Sequence, residues 1–362
     1  LVVGDPEVQL LDVVAGDAVD RASAAEKLAA SGEVLLGPQV SAFLDGRLLV
    51  NVVREDEAHS GYAVIAGLSS PVAGRPWLKL PENDLDRIQL RPWLLPAVYD
   101  LLNTGHGQFL AELRNTVALF LKFGGLDYDK DLAVGDKLDR YIRWVQGIVD
   151  YYGGSLINLT IGDKGSYLLA AFGAPVAHED DARRAVSAAL DLIALPEELA
   201  FIDNVRMGIS QGIMFSGAYG GSERRTYGIL GEETNIAARL MEQAEAGQVL
   251  VSSRIAEAAQ QSHRFEELEP LTVKGVAEPV QVNRLLARRV APERTVATRD
   301  DNEMVGRSDE RRLLGKQLQV LQGGQDGGVI IVEGEAGIGK SRLLEDLLQQ
   351  AEELGVTAFL GA

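Results

Sequence analysis

The chain has no cysteine among its 362 residues, which excludes disulfides and thiolate metal sites. Histidine is nearly as scarce. His59, His106, His178 and His263 are scattered without the spacing of metal ligands, which reads them as ordinary structural residues. Aromatic content is 6%, and Trp77, Trp93 and Trp144 read as packing residues rather than base-stacking platforms. No apolar run approaches the ~18 residues of a membrane-spanning helix, and no signal peptide is visible. Positive charge is also in deficit: 35 Lys and Arg stand against 53 Asp and Glu, a net charge of −18. That balance argues against a general binder of nucleic acid or anionic membrane, so any nucleotide must be held by local donors against the overall field. These absences together fit a soluble protein of a reducing cytoplasm.

What remains is an ordinary globular composition, 46% hydrophobic and 24% charged, long enough for two or three domains. Leu1 is not a start methionine and the first residues read as mid-domain. The chain also stops about twenty residues after a phosphate-binding motif. The expectation is an internal piece of a longer protein.

Two stretches align without a gap at a constant offset of 215 residues. Val14-Ala15-Gly16-Asp17 lies over Ile229-Leu230-Gly231-Glu232, and Ala29-x-x-Gly32-x-Val34-Leu35-Leu36 over Ala244-x-x-Gly247-x-Val249-Leu250-Val251. Each reads as a glycine turn, an alanine-rich helix, a glycine C-cap and a short apolar strand, so two copies of one domain are expected. In the second copy, Thr116 to Phe123 is an apolar β run, and Leu138, Tyr141, Ile142, Val145, Ile148, Val149 and Tyr152 recur at helical spacing. Leu156 to Ile161 and Tyr167 to Phe172 are β runs joined by a turn at Gly162-Asp163-Lys164-Gly165. A helix follows from about Asp180 to Leu195, then strands at Val205 to Phe215 and Arg225 to Leu230. Strands and helices alternating around antiparallel hairpins predict an α+β sandwich. The domain organisation expected is thus 1–70 as the C-terminal part of a first copy, and 71–108 as a proline-bearing connector. A nearly complete second copy fills 109–290, a polar linker 291–304, and the start of an α/β P-loop domain 305–362.

The last segment carries Gly334-Glu335-Ala336-Gly337-Ile338-Gly339-Lys340-Ser341, which fits G-x-x-x-x-G-K-[ST]. Val329 to Val332 before it predicts a buried strand, and Leu343, Leu344, Leu347 and Leu348 give the next helix an apolar face. In such a loop, backbone N–H groups curl around phosphate oxygens at a helix N-terminus. Lys340 would reach the terminal phosphates of ATP, and the Ser341 hydroxyl would ligate Mg²⁺. Val305-Gly306-Arg307, before a helix carrying Glu310, Leu313 and Leu314, resembles the entry to AAA-like or STAND-type signalling ATPases.

The second copy resembles the class III nucleotidyl cyclases. The residues that carry the likeness are Tyr227-x-Ile229-Leu230-Gly231-x-x-x-Asn235-x-Ala237-Ala238-Arg239-Leu240 and Gly247-Gln248-Val249-Leu250-Val251-Ser252. Val273-Lys274-Gly275-Val276-x-Glu278-Pro279-Val280 resembles that family's closing strand, and Ile161-Gly162-Asp163 with Ala171-Phe172-Gly173-Ala174-Pro175 its central hairpin. The resemblance covers about Glu112 to Leu286, with a remnant in Leu1 to about Leu68. It implies cyclase-type α+β domains that pair within the chain, acting on a purine nucleotide with two Mg²⁺ or Mn²⁺ ions. The ribose 3′-oxygen attacks the α-phosphate and pyrophosphate leaves. Two cyclase domains before a P-loop ATPase is the arrangement of the bicarbonate-sensitive soluble adenylyl cyclases, which makes conversion of ATP to cAMP the expected reaction.

By that resemblance, Asn235 orients the ribose and Arg239 neutralises the transferring phosphate. Their i,i+4 spacing puts both on one helix face. Asp163 matches the second metal aspartate, but Lys122 stands where the first would be. Gly228 occupies the adenine-selecting position and Leu159 the place of the purine-reading lysine. In the first copy, Asp20 and Ala24 stand at the positions of Asn235 and Arg239. These departures keep a second reading open: a degenerate cyclase-like sensor or scaffold attached to an ATPase.

Overall fold

Gly32 and Gly247, 215 residues apart, take the same left-handed conformation, with φ of 82° and 81°. Only glycine enters that region without a Cβ penalty, and at both positions it turns the chain out of a helix and into a strand. The computed structural model describes residues 1–55, 61–76, 86–105, 111–221, 225–272, 279–289, 307–322, 328–333 and 340–356. It begins with a short antiparallel pair, β1 (Val2–Val3) and β2 (Leu11–Asp12). Then come α1 (Asp17–Leu28), β3 (Val34–Leu36), α2 (Pro38–Phe43), β4 (Leu48–Arg54) and β5 (Tyr62–Leu68). After α3 (Arg87–Leu90), a 3₁₀ turn at Arg91–Trp93 and α4 (Pro96–Asn103), the main sheet starts with β6 (Glu112–Gly124). It continues through α5 (Val134–Tyr151), β7 (Ser155–Gly162), β8 (Gly165–Phe172), α6 (Asp181–Ile193), β9 (Asp203–Gly220) and β10 (Arg225–Leu230). Next are α7 (Glu232–Gln243), β11 (Val249–Ser252), α8 (Ser253–Ala259), β12 (His263–Glu267) and β13 (Val282–Arg288).

The offset seen in the sequence recurs in these elements. Helices α1 and α7 each run 12 residues, and the starts of α7, β11, α8 and β12 lie 215 residues after those of α1, β3, α2 and β4. Strand order repeats as well: β3-β5-β4 in the first segment, β11-β13-β12 in the second.

The main sheet has eight strands in the order β12-β13-β11-β9-β6-β8-β7, with β10 on β9; β11 runs parallel to β9 and the other pairings are antiparallel. Strand β6 is central and buried on both faces. Its alternation sends Val117, Leu119, Leu121 and Phe123 into a core with α5, α6 and α8. Ala118 and Phe120 face the other way and pack with Ala237 and Met241 of α7. The strand runs past the expected Thr116–Phe123 because β9 pairs with it from Glu112 onward.

The first segment packs on this sheet domain. Val3 and Val13 are buried in the α5 core, the Gly4 N–H donates to Asp139 (2.8 Å), and buried Gln146 bridges the Asp5 N–H and the Gln9 carbonyl. The Asp17 N–H donates to Asp129 across 112 residues of sequence. The stretch expected as a bare connector carries helices, and its Leu95 and Val98 are buried against Ile157 and Tyr227. Trp93 is 43% exposed rather than packed, whereas Trp144 stacks on Tyr141. His59, His106, Trp77 and Val273 to Glu278 lie outside the described residues.

Contacts divide the chain into two compact units, Leu1–Val290 and Ala291–Ala362. In the second, α9 (Ser308–Gln322) meets α10 (Lys340–Glu353) through a two-pronged ion pair of Arg311 with Asp346 (2.8 and 2.6 Å), over buried Leu314, Leu318 and Leu343. Residues 328–333 form no strand, contrary to the expectation for Val329–Val332, and Val329 and Ile331 are exposed. A strand needs a ladder partner, and none pairs with them among the described residues. Gly334, Glu335, Ala336, Gly337, Ile338 and Gly339 lie outside the described residues, as do the side chains of Lys340 and Ser341 at the start of α10. Among the described residues, no helix is long and apolar enough to cross a membrane.

Candidate active site

Helix α7, entered through Gly231, carries two kinds of stripe. Ile236, Ala237, Leu240 and Met241 face inward and are buried. Glu232, Asn235, Arg239 and Glu242, spaced three and four apart, share another face. The helix lies unusually close to β9. At Gly208, a Cβ would collide with the Ala237 carbonyl oxygen and the Met241 N–H, so only glycine lets the helix backbone reach the sheet.

Beside that stripe is a cleft of about 450 Å³, lined by Glu232, Asn235, Arg239 and Glu242 from α7, Phe120 and Lys122 from β6, and Lys164 and Tyr167 from the β7–β8 hairpin. The size falls within the range of small-molecule sites, about 300–1,000 Å³. Asn235 and Arg239 therefore share the cleft with Lys122. Arg239 is half-exposed and donates to Glu242 at 2.6 Å. Phe120 and Tyr167 form the apolar wall, their ring centres 6.2 Å apart.

Lys122 stands on the cleft face of β6, directly opposite Tyr167 on one side and Arg206 on the other. Its ammonium group passes over the hairpin glycine Gly165. Burial pulls its pKa below the usual lysine range, and the Arg206 charge pulls the same way, with Glu242 opposing. Sequence reasoning missed Lys164, Tyr167, Arg206 and Glu242 as members of this site. No local pattern signals Arg206, whose place opposite Lys122 is set by the register of β9 against β6.

Asp163 sits in the hairpin turn, beside the cleft, where Lys27 and Ser23 of α1 bind it. The Lys27 ammonium holds its carboxyl below the usual carboxylate range. Of the α1 positions that match Asn235 and Arg239, Asp20 is exposed and Ala24 is buried. The residues present do not fit a pair of divalent ions. The first position is a cation, the second carboxylate is neutralised by Lys27, and no group of three or more acidic or histidine ligands occurs among the described residues.

The two positions where the resemblance places base-selecting residues, Gly228 and Leu159, carry no polar side chain. Leu159 is buried in the core with α5, on the face away from the cleft. A bulge between Leu156 and Asn158 reverses the alternation of β7 and turns Leu159 inward. Gly228 is buried, and the space a side chain would take is filled by the ring of Tyr219. Neither position offers a polar group to a base.

Residues 132–285 match the family model for the adenylate and guanylate cyclase catalytic domain. The match begins after β6, the strand that carries Lys122. Human adenylate cyclase type 10 is 23% identical over 271 residues, covering 73% of this chain and 17% of that protein. The rat adenylate cyclase type 10 is 28% identical over 180 residues, covering 49% of this chain and 11% of that protein. This chain thus spans less than a fifth of the length of these relatives. Among solved structures, the adenylyl cyclase CyaB of P. aeruginosa aligns with a TM-score of 0.46 at 24% identity, covering 50% of this chain and 97% of that one. Over residues 132–285, the chain is similar to the adenylate and guanylate cyclase catalytic domain.

Proposed function

We propose that this chain is the Asn/Arg-bearing part of a purine nucleotide cyclase that converts ATP to cAMP and pyrophosphate, coupled to an ATP-binding P-loop module. The observation that supports it is the placement of Asn235 and Arg239 together on the cleft stripe of α7. In this reading Asn235 orients the ribose through its amide. The Arg239 guanidinium, released from Glu242, meets the charge that develops as the 3′-oxygen attacks the α-phosphate. The matching order of elements 215 residues apart supports a pseudo-dimer of two cyclase-like copies, with the metal-binding carboxylates supplied by the first copy rather than by Lys122 and Asp163. Mg²⁺ or Mn²⁺ held there would activate the nucleophile and the leaving group.

The test is to measure cyclic nucleotide formation from ATP and from GTP in a longer protein whose first copy carries both aspartates. A folded protein of that kind with no turnover would refute the cyclase reading. The other reading, a degenerate cyclase-like sensor on a STAND-type ATPase, is favoured by the Lys27–Asp163 ion pair and by Lys122, and it predicts that same inactivity. For the P-loop, Lys340 and Ser341 are read as the triphosphate and Mg²⁺ contacts. Lys340→Ala in a complete ATPase domain should abolish MgATP binding there, and unchanged affinity would refute the assignment.

A further inference from the structure

The cleft beside α7 is electropositive in a chain of net charge −18. Lys122, Lys164 and Arg239 line it together with Glu232 and Glu242; Arg206 stands directly across from Lys122 on β9, and Asp163 beside Lys164 is already held by Lys27. Like charges placed opposite one another on a sheet repel, and such pairs are destabilising unless something neutralises them. Lys122 and Arg206 form such a pair on two of the central strands, near the end of β6 and the start of β9. Among the described residues, neither they nor Lys164 form an ion pair, and the buried Nε of Arg206 has no hydrogen-bond partner. Glu242 is already engaged by Arg239. An orphaned buried guanidinium N–H beside unpaired ammonium groups calls for an anion with several acceptor oxygens.

We propose that this cleft holds the phosphate chain of a nucleoside triphosphate without any divalent metal, on Lys122, Arg206 and Lys164. The proposal rests on reading the cleft as a nucleotide site, and it departs from the metal-dependent binding that the cyclase resemblance implies. Lys122 replaces a metal-binding carboxylate by a tethered cation, so the positive charge that neutralises the phosphates comes from the protein itself. Asn235 on the facing helix stripe is then left to the ribose and Arg239 to the α-phosphate. A bound divalent ion would be repelled by the same charges.

The experiment is titration calorimetry on the whole chain carrying Lys340→Ala, which silences the other phosphate site. The ligands are ATP with EDTA, ATP with excess Mg²⁺, and inorganic tripolyphosphate with EDTA. The expected result is binding of ATP and of tripolyphosphate in EDTA, with an ATP affinity equal to or tighter than that in Mg²⁺. Lys122→Gln and Arg206→Gln should each weaken it by about tenfold or more, and Lys122→Arg should retain it. Near-ultraviolet circular dichroism checks that each variant is folded. Binding that requires Mg²⁺, no binding of either ligand in EDTA at millimolar concentration, or binding untouched by both glutamine variants would each overturn the proposal. Tripolyphosphate binding that depends on Lys122 upholds it even if the parent protein makes no cyclic nucleotide. An ATP site that needs Mg²⁺ overturns it and leaves the cyclase reading standing.

Discussion

Asn235 and Arg239 sit one helical turn apart on α7, and their chemistry sets the first expectation. In an active cyclase assembly, Arg239→Ala should lower kcat by roughly 10²–10³ with a smaller change in KM, the pattern of a donor that acts on transition-state charge. Arg239→Lys should not restore it, because an ammonium lacks the planar fork that spans two phosphate oxygens. Steady-state kinetics over a substrate series checks both. A change confined to KM would assign Arg239 to ground-state binding instead. His263 provides a different test, one of stability. It is buried between the hydroxyls of Ser187 (3.3 Å) and Ser262 (2.9 Å). Burial, reinforced by the charges of Arg288 and Arg183, holds its pKa down to about 4 from the ordinary 6.5. The unfolded chain therefore takes up this proton at a higher pH than the folded one. The stabilisation is complete above about 6.5 and falls away as pH drops toward 4, by up to about 3 kcal/mol. Urea melts at pH 7 and pH 5 should show the decline, and His263→Gln should flatten it. An unchanged slope in that variant would place the acid sensitivity elsewhere.

Helix α7 is positioned by what its neighbours lack. Gly208→Ala would drive a methyl group into the Ala237 carbonyl and the Met241 N–H, and should cost about 2 kcal/mol or more. Denaturant melts read that loss directly. A stability within about 0.5 kcal/mol of the parent would mean that the helix can lift from β9 at little cost. This geometry also explains what the sequence could and could not reveal. The stripe of Glu232, Asn235, Arg239 and Glu242 follows helical spacing within one element, so it was readable in advance that Asn235 and Arg239 share a face, while their roles come from the cyclase resemblance alone. The hairpin at Asp163-Lys164 was readable from its flanking glycines. Lys122, Tyr167 and Arg206 form one row across three strands, and their meeting depends on register between segments about forty residues apart, which no local pattern encodes. The bulge in β7 puts Leu159 on the core face with Leu156 and Ile161, because a single extra residue reverses a period of two, and such a bulge is not legible in the sequence. The expected strand at Val329–Val332 failed for a related reason: its apolar run is a local signal, but strand formation needs a paired neighbour.

At the scale of the whole molecule, the first segment and the sheet domain meet where catalysis would need a metal. Helix α1 lies against the β7–β8 hairpin and gives Lys27 to Asp163, so the acidic residue at that turn is already neutralised by a protein cation. The other position that the cyclase resemblance assigns to a metal ligand is Lys122, which repels a divalent ion rather than binding one. Asp20 and Ala24 of α1, which match Asn235 and Arg239 in the repeat, bring neither an amide nor a guanidinium. On the proposed pairing, both halves of that site are degenerate in this chain, and of the other site the chain carries the Asn235/Arg239 half. The expected outcome is that this chain forms no cyclic nucleotide from ATP or GTP with either Mg²⁺ or Mn²⁺. Without the ions, the nucleophile is not activated and the phosphate charge is largely uncompensated, each a matter of several kcal/mol in the barrier. A single donor of this kind, the role proposed for Arg239, is worth about 3–4 kcal/mol, too little to replace both. Chromatographic assay for cAMP and cGMP over long incubation checks this. Metal-dependent turnover that vanishes in Arg239→Ala would show that the chain, as a monomer or by pairing with a second copy, assembles a complete site.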